Sequence, residues 1–427
     1  MRSGARLLPG GSAVAGTAPS TVDRLLAPGA LRPQLQPIVD LASTEVVAFE
    51  ALARWPGLAD TDPAQAFAAA RSEGRVAELD RACQAAALSA VRAAGMDPGL
   101  TLFLNVEPAG LAPGADAGPA PGLDRDGTRI VLELTERALT RSPSELLALV
   151  AWARSRGLGI ALDDVGADPA SLALLPFVAP DVVKLDMSLV QQRTTRARAA
   201  IATAVMAHAE RTGATVLAEG IETLEHLQQA RALGATLGQG WMFGRPGPLP
   251  PIPSPTGGVA LLPHLAADPP TPFDLVADDP RRRVGSVATL LGLSHHIEAQ
   301  GAALHPPPVL LGAFQHAARF TPATARRYAE LASWSPLVGA LGVGLGPEPA
   351  PGVRGAALDA GDPLAQEWTV VVVGPHYTGA LIAREVEATD TGERRFAFLV
   401  THDVDLVTAA ARSLMARLVP APPGAPA

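Results

Sequence analysis

The chain has one cysteine, Cys83, among its 427 residues, so an internal disulfide is impossible and a reducing, cytoplasmic setting is expected. Cys83 sits in the helical pattern LDRACQAAAL, where a buried structural thiol is the simplest reading. No apolar stretch reaches the roughly 18 to 20 residues needed to cross a bilayer, which excludes a membrane-spanning helix from the reading. No long basic run is present and the formal net charge is -8, so nucleic acid is not an expected partner. The single cationic cluster, Arg281 to Arg283, reads as a solvated helix start. No internal repeat relates the two halves. What remains, 48% hydrophobic and 18% charged residues, describes a folded globular protein, and the length favours two domains.

Seven short apolar runs before residue 245 carry a polar side chain at or beside their C-terminal ends. They are VVAFEAL with Glu50, TLFLN with Asn105, RIVLELTE with Glu133, GIALDD with Asp163 and Asp164, VVKLD with Lys184, TVLAEG with Glu219, and TLGQG with Gln239. Taken singly, each is a helix cap, a turn residue or a surface charge. Taken together, they suggest parallel strands whose C-terminal ends converge on one polar site, as in a barrel.

Helical patterns alternate with these runs: AQAFAAARSEG, ELDRACQAAALSAVRAAG, SPSELLALVAWARSRG, RARAAIATAVMAHAERTG and TLEHLQQARALG. Several end at Gly95, Gly157, Gly213 or Gly234, placed for left-handed C-terminal caps, and Ser142-Pro143 reads as a helix start. The alternation indicates an α/β fold over about residues 31–248, after a tail at 1–30 in which Pro9, Gly10 and Gly11 interrupt a faint leader-like pattern. Residues 249–272 are rich in Pro and Gly and read as a semi-rigid linker. A second α/β unit follows at 273–418, then a short tail at 419–427. In that unit PVLLGAFQHAARF, PATARRYAELASW and DLVTAAARSLMARL read as helices, and EWTVVVVGP, GALIARE and RFAFLVTHD as strands.

Five carboxylates cannot all stay ionised in one site without cations. The donors at the strand ends are oxygens, with no His or Cys among them, which favours two Mg²⁺ or Mn²⁺ ions over Zn²⁺. Asp163 and Asp164 are placed for one to bridge the ions while the other binds one, and Asn105 offers a neutral carbonyl. Such a pair of ions suits phosphodiester cleavage by a bound water, with Lys184 orienting it or steadying charge.

The same residues resemble the EAL family. The motifs are QPIVDL, EALAR, LNVEP, LELTE, ALDDVGA, VVKLD, LAEGIET and GQGWMFGRP, in order over about residues 31–248. The resemblance implies a TIM-like (β/α)₈ barrel with an antiparallel first strand and hydrolysis of cyclic di-GMP to linear pGpG. It implies Glu50, Asn105, Glu133, Asp163, Asp164 and Glu219 as metal ligands, with Lys184 assisting the water; a general-base role for Glu219 stays open. Gln36, Leu52, Arg54, Asp186, Glu222, Gln239 and Pro246 fall where the family contacts or frames the dinucleotide. A homodimer is also implied. The family usually continues Phe-Gly-Thr-Gly-Tyr-Ser-Ser-Leu after its Asp pair, whereas this chain has Val165-Gly166-Ala167-Asp168-Pro169-Ala170-Ser171-Leu172. That loop, which Glu136 would anchor, helps organise the second metal in the family. Glu107 also replaces the usual Ser.

The C-terminal unit is similar to the DICT domain, which implies signal input from an unnamed ligand or partner. Trp334, Trp368, His376, Tyr377 and His402 are its candidate contacts, each with a core or turn role as the simpler account. Asp403 reads as a helix N-cap, and the adjacent His295 and His296, poorly spaced for one metal, read as helix-end residues. Two functions stand side by side: a regulated metal-dependent phosphodiesterase, and a receptor that binds the dinucleotide without turnover.

Overall fold

A computed structural model describes residues 19–58, 61–107, 127–135, 142–167, 172–173, 175–251, 254–262, 271–386 and 393–418. Glu136 and the Asp168-Pro169 pair lie outside them.

Eight strands close into a barrel: β1 (Gln34–Asp40), β2 (Val46–Leu52), β3 (Thr101–Asn105), β4 (Arg129–Thr135), β5 (Gly159–Val165), β6 (Val182–Leu185), β7 (Thr215–Ala218) and β8 (Leu237–Gln239). β1 runs antiparallel to both β2 and β8, and the other neighbours are parallel. The short connection between β1 and β2 explains the reversal, because parallel neighbours need a long crossover and a tight turn joins only antiparallel ones. Asp40 builds that turn by accepting from the backbone N–H groups of Ala42 and Ser43, while Thr44 takes φ of 63°.

The crossovers are helical. They include α2 (Pro63–Ser72), α3 (Val76–Ala93), α4 (Pro143–Ser155), α5 (Leu175–Val178), α6 (Met187–Gln191), α7 (Arg196–Thr212) and α8 (Leu224–Ala232). Gly95, Gly157, Gly213 and Gly234, expected as terminators, all have positive φ. The stretch assigned to an N-terminal tail instead contains α1 (Thr21–Leu25), capped by Ser20. Val22 and Leu25 of α1 are buried against Trp55, Ala66 and Leu79, and the Trp55 indole donates to the Leu25 carbonyl at 3.0 Å. An isolated five-residue helix is unstable in water, so the tertiary packing sustains it.

The proline-rich segment after the barrel is docked against it. Val259 is 1% exposed and joins the barrel interior, with Ile38, Ala48, Phe103, Val131, Ala161, Val182, Leu217 and Leu237. Arg129 donates to the Val259 carbonyl at 2.7 Å, and Leu262 N–H donates to buried Asp181 at 2.6 Å. Residues 254–262 thus form a strap across the end of the barrel remote from the polar strand ends.

The second unit is a seven-stranded mixed sheet of order β12-β11-β10-β13-β14-β15-β9. Its strands are β9 (Arg283–Ser286), β10 (Val309–His316), β11 (Leu337–Val343), β12 (Arg354–Leu358), β13 (Glu367–Val373), β14 (Thr378–Val386) and β15 (Arg395–Thr401). Helices α9 (Val287–Ala302) and α10 (Pro322–Ala332) pack on one face and α11 (Val404–Met415) on the other. The run PVLLGAFQHAARF, expected as a helix, is central strand β10. It is paired on both sides and buried on both faces, which produces a continuous apolar run with no helical period. α11 also packs against α4 and α5, so one buried cluster extends from Leu149 and Phe177 of the barrel through Ala410 and Leu414 to Val371 of the sheet.

Candidate active site

The strand-end residues form the top layer of the barrel interior. Side chains alternate along a strand, so the position two past an inward apolar residue also points inward. The interior layer Ala48, Phe103, Val131, Ala161, Val182, Leu217 and Leu237 is followed, two positions on, by Glu50, Asn105, Glu133, Asp163, Lys184, Glu219 and Gln239. One apolar layer therefore sets seven polar groups into a ring.

Lys184 sits at the centre and is 1% exposed. Its Nζ lies 2.6 Å from Glu133, 2.8 Å from Asp163, 2.8 Å from Glu219 and 3.8 Å from Glu50. Gln239 donates to Glu50 Oε2 at 2.6 Å and Asn105 donates to Glu50 Oε1 at 3.3 Å.

Asp164 reaches the same mouth by a different route. Successive strand residues point to opposite faces, so a regular strand could not aim both aspartates at the site. The β5–β6 register shifts between Leu162 and Val165, and Asp164 adopts φ of 54°. This bulge brings carboxylate oxygens of Asp163, Asp164 and Glu219 within 4.8 Å of one another. Two glycines complete the mouth. A Cβ on Gly240 would stand 2.1 Å from the Ile221 carbonyl oxygen, and Gly220, with φ of 69°, lies against Met187.

Burial lifts the Glu133 carboxyl well above its ordinary range, and Glu50 adds repulsion. Burial likewise pushes Glu219 up to about 8 against the attraction of Lys184, and raises Asp164 with help from Asp163. Burial opposes charge on Lys184, but Asp163, Glu133, Glu219 and Glu50 outweigh it and hold the ammonium well above its usual value.

Five carboxylates against one ammonium leave four formal negative charges when all are ionised. Glu133 Oε2 is buried with no hydrogen-bond partner. A buried carboxylate oxygen without a donor is costly, and hard divalent cations relieve both the charge and the orphaned oxygen. The donor set therefore fits such ions, which Glu50, Asn105, Glu133, Asp163, Asp164 and Glu219 would hold.

The other expected residues lie around this ring. Gln36 pairs with Glu50 in register and donates to the Gly244 carbonyl at 3.4 Å. Leu52 and Arg54, both partly buried, extend beyond Glu50, and Arg54 donates to the Ala53 carbonyl at 2.8 Å. Asp186 caps α6 by accepting from Ser188 N–H. Glu222 is exposed, and Pro246 precedes Gly247, whose backbone bonds to Leu35 in both directions. Glu107 forms an exposed ion pair with Arg71 of α2 at 3.2 Å.

Sequence reasoning passed over Asp80, Gln84 and Trp241. Asp80 is 5% exposed on the inner face of α3 and accepts from Gln84 at 2.8 Å, while Gln84 also donates to the Asn105 carbonyl at 3.4 Å. On α3 Asp80 shares the helical period of Gln84, Ala87 and Val91, all of them buried. Burial raises Asp80 from an ordinary 3.8 to about 8. An acid raised in this way keeps its proton in the fold, so its contribution is intact below about pH 4 and is lost as pH climbs toward 8. Asp80→Asn is therefore expected to melt higher than the parent at pH 8 and close to it at pH 5. An equal difference at both would refute the assignment. Trp241 is 53% exposed two residues beyond Gln239, with Arg245 stacked 3.8 Å from its ring centre.

In the second unit, Asp403 caps α11 as expected. His295 and His296 are exposed in the body of α9 rather than at its end. Trp368 packs edge-on against Phe396, and Trp334 is partly buried beside the core. Cys83 is partly buried, and burial together with Asp80 pushes its thiol up to about 12, leaving it unreactive.

A barrel with an antiparallel first strand and an acidic, lysine-centred mouth defines the class. The chain belongs to the EAL domain family, whose model matches residues 20–246. Residues 275–386 match the model described as Sensory domain in DIguanylate Cyclases and Two-component system. Among relatives, Cyclic di-GMP phosphodiesterase RocR of Pseudomonas aeruginosa is 30% identical over 240 residues, covering 54% of this chain and 61% of that protein. Cyclic di-GMP phosphodiesterase NbdA of the same organism is 31% identical over 226 residues, covering 50% of this chain and 28% of that protein. A Klebsiella pneumoniae BlrP1 manganese and cyclic di-GMP complex is 31% identical with a TM-score of 0.46, covering 52% of this chain and 57% of that one. The chain thus spans less than two thirds of the length of each. Among the described residues, no helix is long and apolar enough to cross a membrane.

Proposed function

We propose that this protein is a divalent-metal-dependent phosphodiesterase that opens cyclic di-GMP to linear pGpG. The observation that carries the reading is the ring around buried Lys184, with its excess of carboxylates, in a chain of the EAL family. Two Mg²⁺ or Mn²⁺ ions, when bound, would activate the phosphate and acidify a water. The chain's own groups do the rest. Lys184 orients the water or meets developing charge on the phosphate, and Gln239 and Asn105 fix Glu50 in one rotamer. Arg54 is suited to pair two phosphate oxygens at once. Gln36, Leu52, Asp186, Glu222, Gln239 and Pro246 frame the dinucleotide. The enzyme works as a cytoplasmic homodimer, with its C-terminal unit receiving the signal.

Purified protein with Mn²⁺ or Mg²⁺ should convert cyclic di-GMP to pGpG, followed by chromatography. Binding without turnover in either metal would favour the receptor reading, which rests on the altered Val165 to Leu172 sequence. Replacing Mg²⁺ with Ca²⁺ should lower the rate by about tenfold or more, because calcium's longer and looser coordination disturbs a two-metal site. An unchanged rate would count against two metals.

A further inference from the structure

A cleft of about 530 Å³ opens where the two units meet, away from the Lys184 ring. The barrel contributes Leu172, Leu175 and Pro176, together with Ala204, Ala207, His208 and Arg211 of α7. The second unit contributes the turn Gly374 to Thr378, His402 and Val404. The volume suits a small organic ligand, and the lining mixes apolar walls with a few polar groups, as ligand sites do.

The polar groups have a definite sense. His208 is 6% exposed, and its Nδ1 lies 3.4 Å from an Arg211 guanidinium nitrogen. A guanidinium can only donate, so Nδ1 accepts and Nε2 of the neutral ring carries the proton. That Nε2–H is buried with no acceptor. Arg211 adds positive charge; its partner Asp405, 3.1 Å away, has an 89% exposed side chain, and such solvated pairs are weak. His402 Nδ1 lies 2.7 Å from the Thr378 carbonyl and donates to it, and the His402 ring meets Tyr377 at 5.6 Å. The barrel side thus offers one easily recruited guanidinium and, beside it, a buried donor without an acceptor, and the opposite wall is a Tyr–His face.

We propose that this cleft binds a small planar carboxylic acid, its carboxylate toward Arg211 and His208 and its ring between Leu175 and Tyr377. The site lies close to the catalytic turn. Ile201, one turn before Ala204 on α7, packs where Gly166 follows Asp164, and Leu172 and Leu175 share a buried cluster with Val165. A ligand there touches both units and the helix that supports the aspartate bulge.

The test uses the full chain and 4-fluorobenzoate, observed by ¹⁹F NMR line broadening, with 4-fluorobenzamide as the uncharged comparator. Broadening of the benzoate is expected, with the benzamide binding roughly tenfold more weakly. Arg211→Gln should weaken the benzoate by about the same factor, and Ala207→Trp, which fills the cleft from an exposed position, should abolish its binding. Circular dichroism of both variants confirms that they are folded. Absence of broadening, equal binding of the benzamide, or binding unchanged in either folded variant would overturn the proposal. None of these readouts requires turnover of a dinucleotide.

Discussion

Glu50→Ala is expected to cost at least about 10²- to 10³-fold in turnover while leaving the fold intact or slightly firmer. Glu50 accepts from Asn105 and Gln239 and faces Lys184, so its loss removes a proposed metal ligand and releases two positioned amides. Stability should move the other way. Glu50 is the largest repulsive influence on Glu133 after burial, and removing it lowers the charge density of a site already short of cations. Activity at fixed Mn²⁺ and thermal melts without metal check the two halves. A folded variant with near-parental turnover would remove Glu50 from the machinery, and a large drop in melting temperature would mean that Glu50 serves the fold.

Lys184→Ala should have the opposite character, with a large loss of stability as well as of activity. The ammonium contacts Glu133, Asp163 and Glu219, and removing one partner of a buried ionic cluster costs about 3 to 5 kcal/mol. The pH dependence follows from the raised acids. Without Lys184, Glu219, already near 8, and Glu133 rise further and bind protons more readily in the fold than in the unfolded chain. The deficit should therefore be greatest at about pH 8 or above and shrink as pH falls and these acids are neutralised. Added Mn²⁺ should restore part of the loss at high pH. Denaturant melts of both proteins at pH 6 and 8, with and without metal, measure this; a deficit independent of pH and metal would show that Lys184 acts by packing alone.

The barrel and the convergence of its polar strand ends were both legible in the sequence. The ring could be read because each polar residue ends an apolar run, and one strand period fixes its direction. The Asp163–Asp164 bulge could not, since nothing local announces that Asp164 takes a left-handed conformation. Asp80 escaped notice because a single acid on a helix reads as a solvated face until burial is known. In the second unit, β10 was mistaken for a helix because an apolar run buried on both faces carries no alternation. α1 was missed because five residues are too few to signal a helix without Trp55 to pack on.

The strap at 254–262 has a practical consequence for exchanging parts. The matched family region ends at residue 246, yet Val259 fills the base of the barrel and Leu262 bonds to Asp181. A chimera joined just after Gly247 would leave the barrel without its floor, whereas a junction after Leu262 would carry the floor along. The portable barrel module is longer than its family boundary, and grafting another C-terminal unit onto this barrel should succeed only when the strap travels with it.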